Sequence, residues 1–247
     1  NDIAGGFAQY MPLAERMLLP VPNGLPAAHA ALTEPMAVGW HAVQAARLAA
    51  DDLPLVIGCG PVGLAVIAAL KIKGVHPIVA ADFSPARRAL ALRMGADEVV
   101  DPAVTSPYER WTELATPAGF DPSRFAQMFG IGPKRRPAVI FECVGVPGVI
   151  QSVLEGAPPD ARVVVVGVCM ETDRIEPFFG IVKQVNLQFV LAYTAEEFAQ
   201  SLRHIAEGLI DVPPMITGSV GLDGVQGAFD ELAVPERHAK ILVDPFA

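Results

Sequence analysis

The chain has 247 residues, of which 52% are hydrophobic, so it can bury the core of one large domain or of one and a half small ones. Its formal net charge of −9 argues against a nucleic-acid partner, because proteins that bind phosphate backbones carry clustered lysine and arginine. The longest apolar runs have the length of a strand rather than the ~20 residues that cross a bilayer, so we expect no membrane partner.

The part of the chain before residue 54 combines an irregular start with a helical pattern. Residues 1–25 are rich in glycine and proline, and residues 5–11 are typical of an extended β segment. From residue 27 to residue 50 the apolar residues recur at helical spacings, with Pro35 interrupting the pattern. We therefore expect the chain to begin inside β structure, although the first residues of a domain are usually loose and polar.

From residue 54 onward, short apolar runs alternate with helical patterns. They predict strands at 54–57, 76–81, 98–100, 138–143, 163–168 and 187–193, and helices at 61–73, 85–94, 149–155 and 195–207. The tail is predicted as strand, helix and strand at 216–220, 225–232 and 239–243. Strands that alternate with helices of this length indicate βαβ units, so we predict an α/β fold with a doubly wound parallel sheet.

Residues 101–137 depart from this alternation. They are rich in proline, and we interpret them as a helix at 108–115 followed by a long loop. The basic residues Lys134, Arg135 and Arg136 are interpreted as solvated, since charged side chains usually lie at the surface. The segment is either a plain surface loop, which we favour, or an insertion that contacts a partner.

A glycine-rich loop follows the first predicted strand. It contains the GxGxxG pattern of Gly58, Gly60 and Gly63, with Pro61 and Val62 inside it. In this position Gly58 permits a tight turn, Gly60 lets the backbone approach a pyrophosphate, and Gly63 lets the next helix pack closely on the sheet. The free N–H groups at the start of that helix attract phosphates without any basic side chain. The loop therefore predicts a dinucleotide site.

An acidic residue stands at the end of the second predicted strand. Asp82 lies about 20 residues after the glycines, where a carboxylate accepts hydrogen bonds from the hydroxyls of an adenosine ribose. A carboxylate there repels a 2′-phosphate, and Phe83 follows it, so NAD is favoured over NADP. The alternative is that Asp82 is only an acid before the helix at 85–94. With the glycines in place we favour the ribose role.

Further blocks of residues follow in a recognisable order. They are 5–10 (GGFAQY), 34–42 (EPMAVGWHA), 57–64 (IGCGPVGL), 95–97 (GAD), 141–145 (FECVG), 165–168 (VVGV) and 239–243 (AKILV). Together they resemble the zinc-containing medium-chain dehydrogenase/reductase superfamily, which includes alcohol, polyol and threonine dehydrogenases. The resemblance spans nearly the whole chain. It implies a Rossmann fold with remnants of a GroES-like β catalytic domain at both ends.

The resemblance implies that three further loops contact NAD. The implied contacts are Val144 and Gly145 for the adenosine, Val166, Gly167 and Val168 for the nicotinamide ribose, and the backbone of Leu191, Ala192 and Tyr193 for the carboxamide.

Two residues of the 34–42 block have implied roles near the reacting atoms. In the polyol and threonine branches a glutamate that matches Glu34 lies at the catalytic zinc, as a ligand or a neighbour, and an oxygen ligand suits zinc. From the residues alone Glu34 is an ordinary acid in a first helical turn beside Pro35, and the resemblance reverses this preference. His41 either faces the nicotinamide as a catalytic residue or simply packs, and both alternatives stay open.

The chain also departs from the superfamily pattern. Members carry a long further N-terminal stretch that holds the cysteine and the His-Glu pair of the zinc site and the proton-relay hydroxyl, and none of these is found in the 247 residues. We therefore expect 1–35 to be a residual part of the catalytic domain, 36–200 the Rossmann NAD-binding domain, and 201–247 the return to the catalytic domain. Most zinc ligands are expected outside this chain.

The resemblance implies an NAD-dependent oxidoreductase. Hydride would pass between nicotinamide and a secondary alcohol, polyol or amino alcohol, with zinc as the Lewis acid in the full-length enzyme. The chain alone is expected to bind NAD but to turn over poorly. The alternatives are a zinc-free quinone or enone reductase, a non-catalytic NAD(H)-binding module, and a methyltransferase, which the later blocks disfavour.

Location and assembly are inferred less directly. The three cysteines are odd in number and widely spaced, which disfavours a disulfide framework and a cysteine-only zinc site. This use of cysteine is typical of proteins in a reducing cytoplasm. The strand predicted at 187–193 corresponds to one that pairs across a dimer in the superfamily, so a homodimer or homotetramer is expected.

Overall fold

Six parallel strands form the central sheet in a computed structural model, which describes residues 5–247 apart from the side chains of residues 124 and 127. The strands are β1 (Leu53–Ile57), β2 (Val79–Ala81), β3 (Glu98–Val100), β4 (Ala138–Glu142), β5 (Arg162–Val165) and β6 (Asn186–Phe189). Their order in the sheet is β3-β2-β1-β4-β5-β6, with every neighbouring pair parallel. This is the order of a Rossmann sheet, so the predicted doubly wound α/β fold is confirmed.

Helices cover both faces of this sheet, and a small second sheet follows it. The helices are α1 (Ala27–Ala30), α2 (Thr33–Ala45), α3 (Pro61–Ile72), α4 (Pro85–Met94), α5 (Pro107–Ala115), α6 (Arg124–Phe129), α7 (Val149–Gly156), α8 (Pro177–Lys183), α9 (Ala195–Ala206) and α10 (Val225–Leu232). Two more strands, β7 (Ile216–Val220) and β8 (Lys240–Val243), pair in parallel outside the main sheet.

The two faces of the sheet belong to two different cores, because successive side chains of a strand point to opposite sides. Val56 and Phe141 pack with residues of α2 and α3 on one face. Leu55 and Ile140 pack around Trp111 of α5 on the other face. Because β1 and β4 are buried on both sides, their carboxyl ends are held rigidly next to each other, and the site described below lies there.

Several strands end earlier than their apolar runs. β5 ends at Val165 rather than at 168, because the N–H groups of Val166 and Gly167 both donate to the Glu142 carbonyl, at 2.8 and 2.9 Å, and turn the chain. β6 ends at Phe189 rather than at 193, since β5 offers no further ladder partner after Val165. β2 begins at Val79 rather than at 76. For β5 and β6, the predicted ends were wrong because contacts with neighbouring segments, and not the sequence of the strand itself, set where the strand ends.

The segment between β3 and β4 also differs from the prediction. The helix α5 is confirmed, but part of the predicted long loop forms α6, and α8 was not predicted at all. Arg136 is not simply solvated, because its guanidinium donates to the carbonyls of Asp51, Asp52 and His76. Short helices of six or seven residues hold too few turns to show a clear apolar period.

The first described residues do not form the predicted extended β segment. No strand is found in residues 5–26, and the chain there makes bends and a short 3-10 turn. Instead, Phe7 contacts Phe229 of α10 with ring centroids 6.3 Å apart, and Tyr10 contacts Phe246 at 6.1 Å. The beginning and the end of the described chain therefore lie side by side. Within residues 5–247, no helix has the length and apolar character needed to cross a bilayer.

Candidate dinucleotide-binding site

The glycine loop connects the end of β1 to the start of α3. Gly58 has φ +91°, and a Cβ there would lie 2.7 Å from Cγ2 of Val144, so both the turn and the space require glycine. A Cβ on Gly63 would collide with the Gly58 carbonyl oxygen, because the first turn of α3 packs directly on the loop. Gly60 is the N-cap residue of α3, and the space where its Cβ would stand is open, with Arg87 Nη1 at 3.9 Å. The loop thus presents backbone N–H groups to an open corner, which suits an anion.

The Asp82 side chain lies directly beside this loop. Its Oδ2 accepts a hydrogen bond from the Cys59 N–H at 2.8 Å, and its Oδ1 accepts one from the Ser84 N–H at 2.8 Å. Ser84 itself caps α4, since its Oγ accepts from the Arg87 N–H at 3.1 Å. Because Ser84 caps α4, Asp82 is not needed to cap that helix. This disfavours the alternative in which Asp82 is only an acid before the helix.

Two arginines of α4, Arg87 and Arg88, face the same corner, and the glycine-loop pattern did not point to them. Arg88 donates to the Asp82 and Phe83 carbonyls at 2.7 and 2.8 Å and pairs with Asp101 at 3.0 Å. Arg87 points towards Gly60, and its buried Nε has no hydrogen-bond partner within the described residues. Arg88 therefore binds groups of the protein itself, whereas Arg87 lies where it can contact a ligand.

A cleft of about 400 Å³ opens where β1 and β4 end side by side. Nine of the predicted site residues line it: Glu34, Pro61, Val62, Val144, Val166, Gly167, Val168, Leu191 and Ala192. The strand order reverses between β1 and β4, and open α/β sheets bind ligands at such a point. Of the charged lining residues that the structure describes, Glu34 is negative and Lys240 is positive. Lys240 reaches the cleft from β8, and the sequence analysis gave it no role.

Glu142 holds two of the cleft-lining loops together. Its side chain is almost completely buried, and Oε1 accepts from the N–H groups of Val144 and Gly145 at 2.7 and 2.9 Å. Its backbone carbonyl anchors the turn at Val166 and Gly167. The sequence analysis used this residue only as part of a family block, because an acid after an apolar strand gives no sign of being buried.

Tyr193 and His41 lie outside the set of cleft-lining residues. Burial together with the nearby Glu34 carboxylate raises the pKa of Tyr193. Nδ1 of His41 lies 3.0 Å from both carboxylate oxygens of Glu197, at the start of α9. This position favours the packing alternative for His41 over the catalytic one.

The described residues supply little of a metal site. Within residues 5–247 no group of three or more His, Cys, Asp or Glu side chains is arranged to hold a metal ion. Burial raises the pKa of Cys59 to about 12 and the pKa of Cys143 well above its usual range, so neither is a thiolate at neutral pH. Glu34 is the ionisable oxygen donor that faces the cleft. These residues therefore fit a metal only as a partial ligand set.

Comparisons with known proteins agree with this geometry. A family model described as zinc-binding dehydrogenase matches residues 61–207. The chain is 31% identical over 242 residues to the (R,R)-butanediol dehydrogenase of Bacillus subtilis (strain 168), covering 98% of this chain and 64% of that protein. It is 25% identical over 244 residues to the L-threonine 3-dehydrogenase of Rhizobium rhizogenes, covering 98% of this chain and 65% of that protein. The chain belongs to the zinc-binding dehydrogenase family.

Solved structures show the same fold. The 2R,3R-butanediol dehydrogenase from Bacillus subtilis superposes with a TM-score of 0.70 at 30% identity, over 92% of this chain and 60% of that chain. The L-idonate 5-dehydrogenase from Escherichia coli superposes with a TM-score of 0.74 at 25% identity, over 91% and 59%. The chain thus spans about 64% of the length of the relatives it matches in sequence.

Proposed function

We propose that this chain is the NAD-binding part of a dehydrogenase that transfers hydride between nicotinamide and a secondary alcohol, polyol or amino alcohol. One observation carries the proposal: the fold brings the glycine loop, Asp82 and a cleft lined by nine predicted site residues to the same edge of the sheet. The relatives named for butanediol, sorbitol and L-threonine suggest the range of substrates to test.

In this proposal the cofactor lies across the carboxyl ends of β1 and β4. The pyrophosphate sits at the start of α3 beside Gly60, where backbone N–H groups and the positive end of the helix favour an anion. The nicotinamide enters the cleft between Val62 and Val168, and Lys240 adds positive charge to the same cleft. NAD, when bound, supplies the hydride acceptor. The residues of the chain orient its ring and exclude water from one face of it.

The adenosine end favours NAD over NADP. Asp82 lies where a ribose would be placed, and its negative charge repels a 2′-phosphate. Phe83 is 70% exposed and offers neither a hydroxyl nor a positive charge. The Arg87 guanidinium can donate hydrogen bonds to the pyrophosphate or to a ribose hydroxyl.

Zinc is proposed as a cofactor of the complete enzyme, with Glu34 as one candidate ligand. A bound zinc ion would supply a Lewis acid for the substrate oxygen. Since the described residues do not form a metal-binding group, no catalytic step is assigned to the ion. Glu34 faces the cleft that would hold the nicotinamide, which supports the zinc-dependent branch over the zinc-free reductase alternative.

The division into 1–35, 36–200 and 201–247 also enters the proposal. The contacts of Phe7 and Tyr10 with the end of the chain support one unit built from both termini.

The free side of β6 and the exposed apolar residues Phe178, Ile181 and Phe189 beside it support pairing of two copies along this edge. Sedimentation of the chain as a dimer would support this assembly, and a monomer would contradict it.

The cofactor proposal is tested by titrating the chain with NADH and NADPH and following nicotinamide fluorescence. We expect tighter binding of NADH. Asp82→Ala should weaken NADH binding about tenfold, as expected for the loss of hydrogen bonds to a charged group, and narrow the preference over NADPH.

Asp121→Ala is the matched control. Asp121 accepts from the Ser123 N–H at 2.8 Å, as Asp82 does from Ser84, but it lies on the other side of the molecule beside α6. Its loss should leave both affinities unchanged. Equal affinity of the unaltered chain for NADH and NADPH would contradict the NAD preference, and failure to bind either would contradict the function.

A further inference from the structure

The cleft has two walls that belong to different parts of the chain. One wall is the start of α2, with Glu34, Pro35 and Val38. The other is the segment from Val190 to Ala192, between β6 and α9. The second wall has little regular structure to hold it. The Val190 N–H donates to the Val165 carbonyl at 3.1 Å, and Val165 is the last residue of β5. Ala192 has φ +58°, which a residue with a side chain rarely adopts.

The segment is fixed at its other end by the first turn of α9. Thr194 and Glu197 form a capping box, in which the Glu197 carboxylate accepts from the Thr194 N–H at 2.7 Å and the Thr194 hydroxyl accepts from the Glu197 N–H at 3.2 Å. Glu197 therefore determines where Thr194, and with it the end of the wall, is held.

His41 of α2 binds the same carboxylate. Its Nδ1 lies 3.0 Å from both oxygens, and the pair is largely shielded, with 28% and 15% of the side chains exposed. A carboxylate only accepts hydrogen bonds, so Nδ1 carries the proton and donates. Burial acts to raise the pKa of Glu197, but the hydrogen bonds from Thr194 and His41 lower it overall, so the carboxylate stays ionised at neutral pH.

The rest of the contact between the two helices lies further along α9. Trp40 Nε1 donates to Gln200 Oε1 at 3.0 Å, and the Trp40 ring packs against His204 at 4.6 Å. These contacts hold the body of α9 on α2. The His41–Glu197 pair holds its first turn, which directly follows the cleft wall.

We infer that the His41–Glu197 pair is a clamp that sets the distance between the two walls of the cleft and so positions the backbone of Leu191–Tyr193 for the nicotinamide. This inference rests on the proposed function. In it His41 is a positioning residue that acts through Glu197 and Thr194 and does not touch the cofactor. The clamp affects the nicotinamide half of the cofactor, because the glycine loop and Asp82 hold the adenosine half independently.

The test compares NADH with ADP-ribose, which has the adenosine and both phosphates but no nicotinamide. In His41→Ala we expect the NADH dissociation constant to rise about tenfold, since a hydrogen bond to a charged group is lost, while ADP-ribose binding stays within about twofold. A general loosening of the fold would weaken both ligands together.

Two conservative variants make the test specific for one ring nitrogen. His41→Asn places an amide N–H close to the position of Nδ1, so it should recover most of the NADH affinity. His41→Gln places its amide further out, near the position of Nε2, and should not. The control is His76→Ala, which removes a second His–carboxylate pair, His76 with Asp97 at 2.9 Å, at the amino ends of the strands. It should change neither affinity.

Each result decides the inference. Selective loss of NADH binding in His41→Ala with recovery in His41→Asn supports the clamp. Unchanged NADH binding in His41→Ala, equal weakening of both ligands, or equal behaviour of the Asn and Gln variants would overturn it. If the unaltered chain binds ADP-ribose but not NADH, the clamp fails while the adenosine site stands. If it binds neither, the proposed function fails and the clamp with it.

Discussion

The two edges of the central sheet hold backbone groups with different charged side chains. At the carboxyl edge, the side chains of Asp82 and Glu142 accept hydrogen bonds from backbone N–H groups. At the amino edge, Arg136 and Arg162 donate to backbone carbonyls, including those of Ala46 and Arg47 just after α2. The groups named are carboxylates at the first edge and guanidinium groups at the second, where Arg162 also pairs with the buried carboxylate of Asp52.

The helix termini explain this difference. In a doubly wound sheet each helix starts near the carboxyl ends of the strands and finishes near the amino ends, so free N–H groups collect at one edge and free carbonyls at the other. Carboxylates complement the first set and guanidinium groups the second. At the amino edge the protein supplies its own cations, whereas at the start of α3 the N–H groups next to Gly60 remain available to an anionic cofactor.

The comparison of the two edges is tested most strongly by replacing Glu142, for which we expect the largest loss of stability. Glu142→Ala removes the acceptor of two N–H groups in a buried position and should lower the free energy of unfolding by about 4 kcal/mol. Glu142→Gln keeps one oxygen acceptor and should cost clearly less. Urea denaturation measures both. A loss below about 1 kcal/mol in the alanine variant would show that the N–H groups of the carboxyl edge do not need this carboxylate.

The corresponding change at the amino edge is Arg162→Met. Arg162 pairs with Asp52, of which 1% is exposed, so the variant leaves a buried carboxylate without its cation. We expect the free energy of unfolding to fall by about 3 kcal/mol and NADH binding to stay within about twofold. Adding Asp52→Asn should restore part of the stability. A large loss of cofactor affinity would contradict the separation of the two edges.

The smallest expected effect is the response to alkaline pH. Burial raises the pKa of Cys59 from 9.0 to about 12 and that of Tyr108 from 10.0 to about 12. Both groups ionise more readily in the unfolded chain, so the stability they contribute is present below pH 9 and is lost as the pH rises towards 12.

Unfolding measured between pH 7 and pH 10 should therefore show a loss of about 2 kcal/mol that starts near pH 9. Tyr108→Phe should make the loss near pH 10 smaller and leave the earlier part, to which Cys59 of the glycine loop contributes. A stability that is flat across this range would show that neither group is shielded from water.

Much of the fold and part of the site could be predicted from the sequence. The strands β1 and β4 are short apolar runs between turn residues, and α4 begins at Pro85 after Ser84 and ends before Gly95, as local rules require. The adjacency of Asp82 to the glycine loop follows from the spacing of one βαβ unit. Such features depend on residues close together in the chain.

Other features depended on contacts between distant residues. Lys240 enters the cleft from β8, some 180 residues after the glycine loop, and Glu142 is buried only because two loops close over it. His41 could not be assigned from its helix, since its partner Glu197 lies 156 residues away. The ends of β5 and β6 were set by their neighbours in the sheet.

The sequence by itself determined the alternation of strands and helices and the dinucleotide loop with its acid, because these follow from apolar periodicity, glycine geometry and local spacing. The family was indicated by the resemblance of several blocks of residues to known members. Only the tertiary structure decided which charges face the cleft and which are used to hold the fold together. A side chain has the same local pattern in both roles, and its partner, which the chain brings in from far away, makes the difference.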